Sequence, residues 1–565
     1  MQYVQGNRNL DYDILIGGGS LSSLATAITL GNLTLGESKL SAFRIAYLEP
    51  TDWPGGQLTS SLVPPDFGSA NEEIQNLPES FVDLLLTVGS NDNNWDSNPG
   101  ECWVTTKCFP AGMTVDYIMD LLSSFPSVDV YLNTVVKSVQ TDGSKMLTGV
   151  SAIHRSPRGN NRFDGYSQLL SASLRDWYDP SSSETFEKEV LSFSANVFVE
   201  GTEFGDILIN AAAAESRFQD MFVSGFERPH ELSEQYVSDC GQSSTLPFVI
   251  TYSSNHRSNI DRFPQGSDEN DPFTFGDYNW SDIWSYRRIE VNEVDPESIN
   301  GQHSNQNWNG GNDFGGGYLF LSIEDSLNQA NSKFGWYGGI NLDTLRRMED
   351  RSYGWLHYYA DHADEEIREY LSLNTSQTMT AHGLSKLPYL RDTRRSRRGI
   401  EGFRLSYVNG MSVEDIDGNT SIRYPDTVAI GNYNFLDIHS LNVAEGSCSS
   451  INAYPEYLTE PVVPLLPYYI PFRALTSMTV ENLILPGKAM AQTYKANAGT
   501  RLHPTEWSTG VAAGGAAFIM ASMNRESAIG SGSDSWSTTT DVYNNIEELQ
   551  ALLENRLGSP LTWSL

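Results

Sequence analysis

A strand, a glycine turn, a helix and a second strand follow one another within the first fifty residues. Residues 11–16 (DYDILI) have the apolar pattern of a buried strand, and three consecutive glycines at 17–19 end it abruptly. Residues 20–30 carry small and apolar side chains that suit a helix packed closely on a sheet, and residues 43–48 (FRIAYL) predict the second strand. This order is typical of the βαβ unit of a doubly wound α/β fold.

The glycine turn fits the pattern G-x-G-x-x-G, with serine in the third place. Gly17 allows the tight turn, Gly19 lets the backbone approach a pyrophosphate, and the small side chain of Ser22 lets the helix pack on the strand. Glu49 ends the second strand, where its carboxylate can accept both hydroxyls of a ribose. Its distance from the turn exceeds the usual ~20 residues, and the polar stretch 31–42 can loop out the excess. The unit predicts a dinucleotide site; a turn without a ligand, followed by a surface glutamate, is the less favoured alternative.

The length of the chain, 565 residues, predicts more than one domain. A strand pattern returns at 483–485 and a helix of small residues at 510–523, whereas 215–460 is rich in Trp, Tyr, Asn and Gly and weakly periodic. We therefore predict an α/β fold: a Rossmann-type three-layer domain whose two parts flank an inserted mixed α+β substrate or cap domain. The predicted boundaries are 1–210 and 465–525 for the two parts, 211–464 for the insert, and 526–565 for a C-terminal loop and helix.

Shorter patterns give further expectations for local structure. Alternating or periodic apolar residues predict a helix or a strand, and clusters of Pro, Gly and Ser predict a loop. The expected elements are a helix over 114–124, strands over 128–132, 135–139 and 196–200, an irregular loop over 155–185 within a β-meander, and a last amphipathic helix over 541–555.

The charge of the chain is strongly negative, with 36 Lys and Arg against 71 Asp and Glu and a formal net charge of −35. Such a surface repels nucleic acids and anionic lipid, so we expect neither a nucleic-acid nor a membrane partner. No window reaches the apolar length of a membrane span, and residues 1–10 are too polar for a secretory signal. We expect a soluble protein, cytoplasmic or secreted.

The four cysteines have neither zinc-type spacing nor a C-x-x-C pattern, so no metal site is predicted. Isolated buried thiols are the favoured interpretation. A disulfide between Cys102 and Cys108 is the alternative, because few lysines and several N-glycosylation motifs would suit a secreted protein. The cysteines are Cys102, Cys108, Cys240 and Cys448, and the glycosylation motifs begin at Asn32, Asn374 and Asn419.

Further motifs follow along nearly the whole chain. They are residues 46–59 (AYLEPTDWPGGQLT), 201–206 (GTEFGD), 308–314 (WNGGNDF), 387–395 (LPYLRDTRR), 436–439 (LDIH), 469–475 (YIPFRAL), 480–483 (VENL), 487–488 (GK) and 501–504 (RLHP), the last of which leads to Gly510 and Gly514. In this order the motifs resemble those of the FAD-dependent oxidoreductases, a family whose substrates are mostly unknown.

The resemblance implies FAD as the cofactor. It implies that the helix start before Gly510 points its positive end at the flavin, where it stabilises the reduced form. The implied cofactor-binding residues are Gly17, Gly18, Gly19, Ser20, Leu21, Ser22, Glu49, Pro50, Gly55, Gly56, Gln57, Val136, Gly201, Thr202, Gly487, Arg501 and Gly510.

Candidate catalytic residues lie near the inferred flavin face. His439 and His503 are candidate proton acceptors, because an imidazole titrates near neutral pH, although either could instead only orient a loop. Arg395 and Arg473 could clamp a substrate carboxylate, as could Arg394, Arg397 and Arg398. Salt bridges between domains are the alternative role for these arginines.

The predicted function is hydride transfer between a small organic substrate, carboxylate-bearing or not, and flavin N5. Either O₂ or a separate acceptor would then reoxidise the flavin. Residues 57–61 (QLTSS) lack the cysteine pair of a disulfide reductase, and no second glycine fingerprint follows a strand, so we expect no reduction by NADH or NADPH. The alternatives are a flavin-containing lyase or isomerase without net redox chemistry, and a non-catalytic or tRNA-modifying flavoprotein; the negative charge argues against the latter.

Overall fold

The computed structural model describes residues 9–35, 43–67, 74–89, 95–266, 275, 278–290, 298–415, 418–433, 435–439, 441, 465–530 and 537–564. The strands are β1 (Asn9–Gly17), β2 (Ile45–Leu48), β3 (Val128–Tyr131), β4 (Thr134–Thr141), β5 (Leu147–Pro157), β6 (Phe186–Glu200), β7 (Phe222–Val223), β8 (Phe226–Arg228), β9 (Gln235–Val237), β10 (Ser244–Thr245), β11 (Phe248–Tyr252), β12 (Arg288–Glu290), β13 (His303–Gln306), β14 (Asp313–Phe314), β15 (Leu371–Leu373), β16 (Tyr389–Leu390), β17 (Arg395–Ser396), β18 (Thr427–Gly431), β19 (Tyr468–Pro471) and β20 (Leu483–Ile484). The helices are α1 (Leu21–Thr34), α2 (Glu79–Gly89), α3 (Ala111–Ser123), α4 (Leu170–Tyr178), α5 (Asp206–Ala214), α6 (Trp280–Tyr286), α7 (Ile323–Ala330), α8 (Leu342–Asp361), α9 (Glu365–Arg368), α10 (Thr375–Thr378), α11 (Tyr494–Thr500), α12 (His503–Gly530), α13 (Thr539–Asn544) and α14 (Ile546–Arg556).

The main sheet has seven strands in the order β3-β2-β1-β6-β5-β4, with β20 also paired to β6. The strands β3, β2, β1, β6 and β20 pair in parallel, and β4, β5 and β6 form an antiparallel meander. The long strand β6 belongs to both parts, because its first half pairs with β5 and its second half with β1. This sheet confirms the predicted α/β class and brings the late strand β20 to the N-terminal unit.

Both faces of the parallel strands are buried. Ile14, Ile16 and Tyr47 belong to the apolar core beneath α1 and α12, whereas Leu15 and Leu48 belong to the core shared with the meander and the central part of the chain. Successive side chains of a strand point to opposite faces, so a sheet covered on both sides reads as a continuous apolar run.

Helices α1 and α12 pack at backbone distance. A Cβ atom on Gly514 would lie 2.7 Å from the Cβ of Thr29, and one on Gly510 would collide with the backbone of Ser22. The small-residue stretch of α12 is therefore explained by close helix packing.

The central part of the chain, between α5 and β19, combines short sheets with aromatic packing. It contains the four-stranded sheet β12-β13-β11-β15, the three-stranded sheet β14-β10-β16 and the long helix α8. Trp280 stacks on Trp284 and on Tyr359, with ring centroids 5.1 and 5.2 Å apart. Short strands and large rings explain the weak periodicity of this segment. Its mixed α+β character is as predicted, while the boundaries at 210, 464 and 525 stay a prediction.

Three local expectations need correction. The segment 155–185 is not an irregular loop throughout, because β5 continues to Pro157 and α4 forms within it. Leu170, Leu174 and Trp177 lie on one face of α4 at helical spacing and are buried, a short apolar stripe that the surrounding polar residues obscured. The predicted last helix is two helices, α13 and α14, and α12 begins at His503 rather than near 510.

The cysteines are oxidised rather than isolated thiols. Cys102 and Cys108 form a disulfide with Cα atoms 6.2 Å apart, and Cys240 is disulfide-bonded as well. The favoured expectation of buried free thiols is therefore wrong for these three cysteines, and Cys448 lies outside the described residues. Within the described ranges, each helix is too short or too polar to cross a lipid bilayer.

Candidate active site

Glycines from distant parts of the chain meet at the first turn of α1. A Cβ atom on Gly56 would come within 3.0 Å of the backbone of Gly19 and Ser20, and one on Gly201 would lie 2.6 Å from the Cβ of Ser23. Cβ atoms on two later glycines would similarly collide with Ser22. We call this surface the glycine cradle; its members are Gly17, Gly18, Gly19, Gly56, Gly201, Gly487 and Gly510.

Backbone hydrogen bonds hold the cradle against the helix. Ser20 caps α1, since its hydroxyl accepts from the N–H of Ser23 at 3.2 Å while its own N–H donates to the Ser23 hydroxyl. The N–H of Gly201 donates to the Gly17 carbonyl at 2.9 Å, and the φ of +122° at Gly19 requires glycine. The N–H groups at the start of a helix, such as those of Leu21 and Ser22, lack intrahelical partners. Bare backbone around a helix N-terminus is the usual site of a pyrophosphate.

Glu49 lies directly after β2 and is fully buried. The Tyr47 hydroxyl donates to Oε2 at 2.9 Å, and the N–H and hydroxyl of Thr51 donate to Oε1 at 3.2 and 3.1 Å. Burial raises the pKa of Glu49 to about 8 against these hydrogen bonds. A carboxylate has about four acceptor positions, so one further donor such as a ribose hydroxyl can be accepted.

The other predicted cofactor residues lie on the same side of the sheet or support it. A Cβ atom on Gly19 would lie 3.0 Å from Cγ of Pro50, so this proline covers the turn. Gly55, with φ of +119°, precedes Gln57, whose Nε2 donates to the Arg501 carbonyl at 3.3 Å. Val136 is buried on β4 opposite Ala152 of β5.

Thr202 has a structural role at the start of α5. Its N–H and hydroxyl donate to Glu200 Oε1 at 2.8 and 2.6 Å, and its hydroxyl oxygen accepts from the N–H of Asp206. These polar groups thus fix the start of α5, and a direct cofactor contact by this side chain stays a prediction.

The motifs at 308–314, 387–395 and 436–439 meet the segment before α12 in a group of charged side chains. We call this group the ionic cluster. His439 lies between two carboxylates, with Nδ1 2.9 Å from Oδ2 of Asp313 and Nε2 2.9 Å from Oδ1 of Asp437. The guanidinium of Arg391 lies 2.8 Å from the other oxygen of Asp313. That of Arg501 lies 2.6 Å from the other oxygen of Asp437. The cluster consists of these five residues.

The arrangement fixes the charges of the cluster. Burial by itself raises the pKa of both carboxyl groups. Arg391 and His439 nevertheless lower the pKa of Asp313 to about 2. His439 and Arg501 hold the pKa of Asp437 well below its usual range. Two guanidinium groups and one imidazole ring thus face two ionised carboxylates.

Two hydrogen-bond donors of the cluster lack an acceptor among the described residues. The Nε atoms of Arg391 and Arg501 are buried and have no hydrogen-bond partner among the described residues. The hydroxyl of Tyr389 lies beside them and accepts from Arg501 Nη1 at 2.6 Å. Unpaired guanidinium donors in a buried cluster are suited to binding an anionic group or stabilising a developing negative charge.

The contacts of His503 favour its alternative role, the orientation of a loop, over that of a proton acceptor. The ring is fully buried, Nδ1 accepts from the N–H of Asp66 at 3.2 Å, and Nε2 donates to the Val63 carbonyl at 3.1 Å. Burial and the charge of Arg287 lower its pKa to about 3. Both ring nitrogens are occupied, so His503 anchors the loop at 63–66 as a neutral imidazole. His439 has a carboxylate beside each ring nitrogen, and its role as a proton acceptor stays a prediction.

Arg395 and Arg473 also lie outside the ionic cluster. Arg395 is fully buried, pairs with Glu227 at 2.7 Å and donates to the carbonyls of Gly225 and Gln492. Arg473 pairs with Asp426 at 3.0 Å and also with Glu401. Ion pairing, the alternative role, is what these contacts support, and the clamping of a substrate by these two arginines stays a prediction. The same is true of Arg397 and Arg398, which pair with Asp220 and Glu234, whereas Arg394 donates to backbone carbonyls.

Sequence reasoning missed the roles of Asp313, Arg391 and Asp437. Each lies in one of the family-like motifs, at 308–314, 387–395 and 436–439. These motifs were the feature of the sequence from which the three residues could have been predicted. In the described part of the chain, no group of three or more His, Cys, Asp or Glu could hold a metal ion.

A model of the FAD-dependent oxidoreductase family matches residues 13–163 and 179–529. The chain belongs to this family. Its cofactor is FAD. The predicted family resemblance and the predicted cofactor are both confirmed. A comparison with curated proteins found no significant match.

Two solved structures align with most of this chain at low similarity. Quinol fumarate reductase FrdA of E. coli is 11% identical, with 96% of this chain and 74% of that chain covered and a TM-score of 0.31. A geranylgeranyl bacteriochlorophyll reductase-like protein of Thermoplasma acidophilum is 9% identical, with 97% and 85% covered and a TM-score of 0.29. Similarities this low carry no argument about activity.

The residues of this chain fit FAD. The glycine cradle brings distant segments to the first turn of α1 at backbone distance, where helix N–H groups can bind a pyrophosphate, and Glu49 retains acceptor capacity for a ribose. Gln57 Oε1 is buried and unpartnered within the ranges given above, so it can accept from a ligand. FAD supplies two-electron redox chemistry when bound.

Proposed function

We propose that this FAD-dependent oxidoreductase exchanges a hydride with a small organic substrate whose anionic group binds at the ionic cluster. The observation that supports this is the pair of buried Nε–H groups of Arg391 and Arg501, which have no hydrogen-bond partner among the described residues. A planar guanidinium recognises a carboxylate through charge-assisted hydrogen bonds, and a buried one does so without competition from water.

The cluster is connected to the cofactor side of the molecule. Arg501 belongs to the ionic cluster through its side chain and accepts from Gln57 through its carbonyl. Gln57 follows Gly56 of the glycine cradle directly. A substrate held by Arg391 and Arg501 would therefore lie next to the segments that contact FAD.

His439 is the residue that we assign to proton transfer. Its side chain is 14% exposed, more than those of Asp313, Arg391 and Arg501. Only Asp437, at 23%, is more exposed, so a small molecule can reach the ring from the Asp437 side. In the reducing direction a carbonyl substrate gains a hydride at carbon and a proton at oxygen. His439 Nε2 can donate that proton to a substrate oxygen that takes the place of Asp437, and the oxidising direction reverses the transfer.

The reoxidation of the flavin completes the proposed cycle. We propose that O₂ or a separate acceptor takes the electrons, so that the organic substrate is the hydride donor. Stopped-flow mixing of the reduced protein with oxygenated buffer or with an artificial electron acceptor distinguishes an oxidase from a dehydrogenase. Reoxidation that is fast only with the artificial acceptor would identify a dehydrogenase.

The decisive experiment begins with the purified protein. Heat release followed by chromatography is expected to yield one FAD per chain. Small organic acids are then screened anaerobically for bleaching of the flavin's visible absorbance, each beside its neutral amide. Bleaching by an acid but not by its amide would support recognition at the ionic cluster. Equal bleaching by both would contradict anionic recognition, and FMN or no flavin would contradict the assigned cofactor.

A further inference from the structure

Lys488, Glu203 and Glu506 form a buried triad between the two parts of the site. The ammonium of Lys488 lies 3.0 Å from Glu203 Oε1 and 3.2 Å from Glu506 Oε1, and none of the three side chains is more than 4% exposed. One cation thus faces two carboxyl groups. Burial raises the pKa of Glu203 to about 7 despite the ammonium of Lys488, as expected for a carboxyl group with too little positive charge beside it.

The triad borders the glycine cradle on one side. A Cβ atom on Gly487 would lie 2.6 Å from Ser22 Oγ and 3.2 Å from Glu506 Oε1, and one on Gly19 would lie 3.5 Å from the N of Glu203. The carboxyl groups are therefore neighbours of the turn that the pyrophosphate of FAD approaches.

On its other side the triad borders the segment that supplies the ionic cluster. The hydroxyl of Thr393 donates to the Glu203 carbonyl at 2.7 Å, and Thr393 follows Arg391 by two residues. Tyr389, the hydroxyl of which accepts from Arg501, is also close enough to raise the pKa of Lys488. The triad consequently lies between the glycine cradle and the segment that supplies the ionic cluster.

Each carboxyl group has an oxygen without a partner. Glu203 Oε2 and Glu506 Oε2 are buried and receive no hydrogen bond from the residues that the structure describes. Lone pairs of buried carboxyl groups are almost always satisfied in folded proteins, so such oxygens indicate a missing donor. The ribityl chain of FAD carries hydroxyl groups, which are donors of the required kind.

We infer that Glu203 and Glu506 are FAD-binding residues whose free oxygens accept hydrogen bonds from the ribityl hydroxyls, with Lys488 holding both carboxyl groups in position. This role concerns the cofactor and is independent of the substrate proposed above. A purely structural ion pair, which would stabilise the apo-protein without contacting FAD, is the competing explanation.

The test is FAD titration of the apo-protein, followed by quenching of flavin fluorescence. Glu203→Gln and Glu506→Gln are each expected to raise the Kd for FAD by about 10- to 100-fold, because a hydrogen bond to a charged group is lost. Glu349→Gln is the matched control: Glu349 is a buried glutamate that accepts from the N–H of Ser171 at 2.9 Å, and its substitution should leave the Kd unchanged. Unchanged FAD binding in both triad variants would overturn the inference.

A second measurement uses the wild-type protein and covers the case in which a variant does not fold. An FAD analogue that lacks ribityl hydroxyls is titrated beside FAD. The analogue is expected to bind about 10-fold or more weakly, and equal affinity would overturn the inference. Neither readout depends on turnover, so failure of the proposed substrate site would leave both results interpretable.

Discussion

Nδ1 of His439 lies 2.9 Å from Oδ2 of Asp313, and the opposite ring nitrogen lies 2.9 Å from Oδ1 of Asp437. The two carboxylates hold the imidazole ring from both sides. A residue from β14 and one from the 436–439 motif thereby fix the orientation of an imidazole beside two arginines.

Asp313→Asn removes one of these carboxylates. Because the substitution deprives both His439 and Arg391 of a charged partner, we expect turnover to fall by about 100-fold or more, in line with the loss of a positioned acid. The FAD content should not change. Flavin bleaching by the substrate found in the screen measures the rate. Asp220→Asn, which alters an exposed pair with Arg397, is the control, and wild-type turnover in Asp313→Asn would contradict the assigned site.

Glu49→Gln should weaken FAD binding by about 10- to 100-fold, because the ribose loses a charge-assisted acceptor. Tyr47→Phe removes only one donor to the same carboxylate and should have a smaller effect. Titration of the apo-proteins with FAD measures both. If the affinity of Glu49→Gln equals that of the wild type, another group holds the ribose.

Substitution of Arg395 or Arg473 should change the stability of the protein rather than its catalysis. Arg395→Met leaves Glu227 buried without its cation, and we expect a loss of about 3–5 kcal/mol in the free energy of unfolding. Arg473→Met breaks a partly exposed pair and should cost about 1 kcal/mol. Denaturant unfolding compares them. A raised KM in either variant at unchanged stability would instead restore the substrate-clamp interpretation.

The neutral state of His503 predicts a loss of stability in acid. Its folded-state pKa of about 3 lies below the ordinary value of 6.5, so the unfolded chain binds the proton first as the pH falls. Stability is unaffected above about pH 6.5 and falls progressively below it, by about 2 kcal/mol at pH 5.

His503→Asn removes this titration and retains an acceptor for the N–H of Asp66. Between about pH 7.5 and about pH 5, its apparent Tm should therefore fall less than that of the wild type. Thermal melts in matched buffers measure the difference. Parallel decreases in the two proteins would show that other groups govern the acid response.

NADH and NADPH are not expected to bleach the flavin at a useful rate. Gly310 and Gly311 lie before the short strand β14 rather than between a strand and a helix, and Gly315, Gly316 and Gly317 lie in an Asn-rich segment of the sequence. Anaerobic mixing with excess NADPH, followed at the flavin's visible band, is the measurement. Rapid bleaching would demonstrate a nicotinamide site in the central part of the chain.

The sequence by itself determined the dinucleotide-binding unit, the family resemblance and the position of Glu49. These depend on local chemistry: a glycine turn after an apolar strand, a carboxylate at the end of the next strand, and small residues where helices touch. Such features occupy a few consecutive residues, so they can be predicted without knowledge of the rest of the chain.

Only the tertiary structure decided which charged residues form the site. Arg395 and Arg391 are four positions apart, yet the first pairs with Glu227 and the second with Asp313, and neither partner is a neighbour in sequence. The role of a buried cation depends on which carboxylates lie within hydrogen-bond distance and on how much water is excluded. Both conditions are set by residues that folding brings together from distant parts of the chain, and no local pattern encodes them.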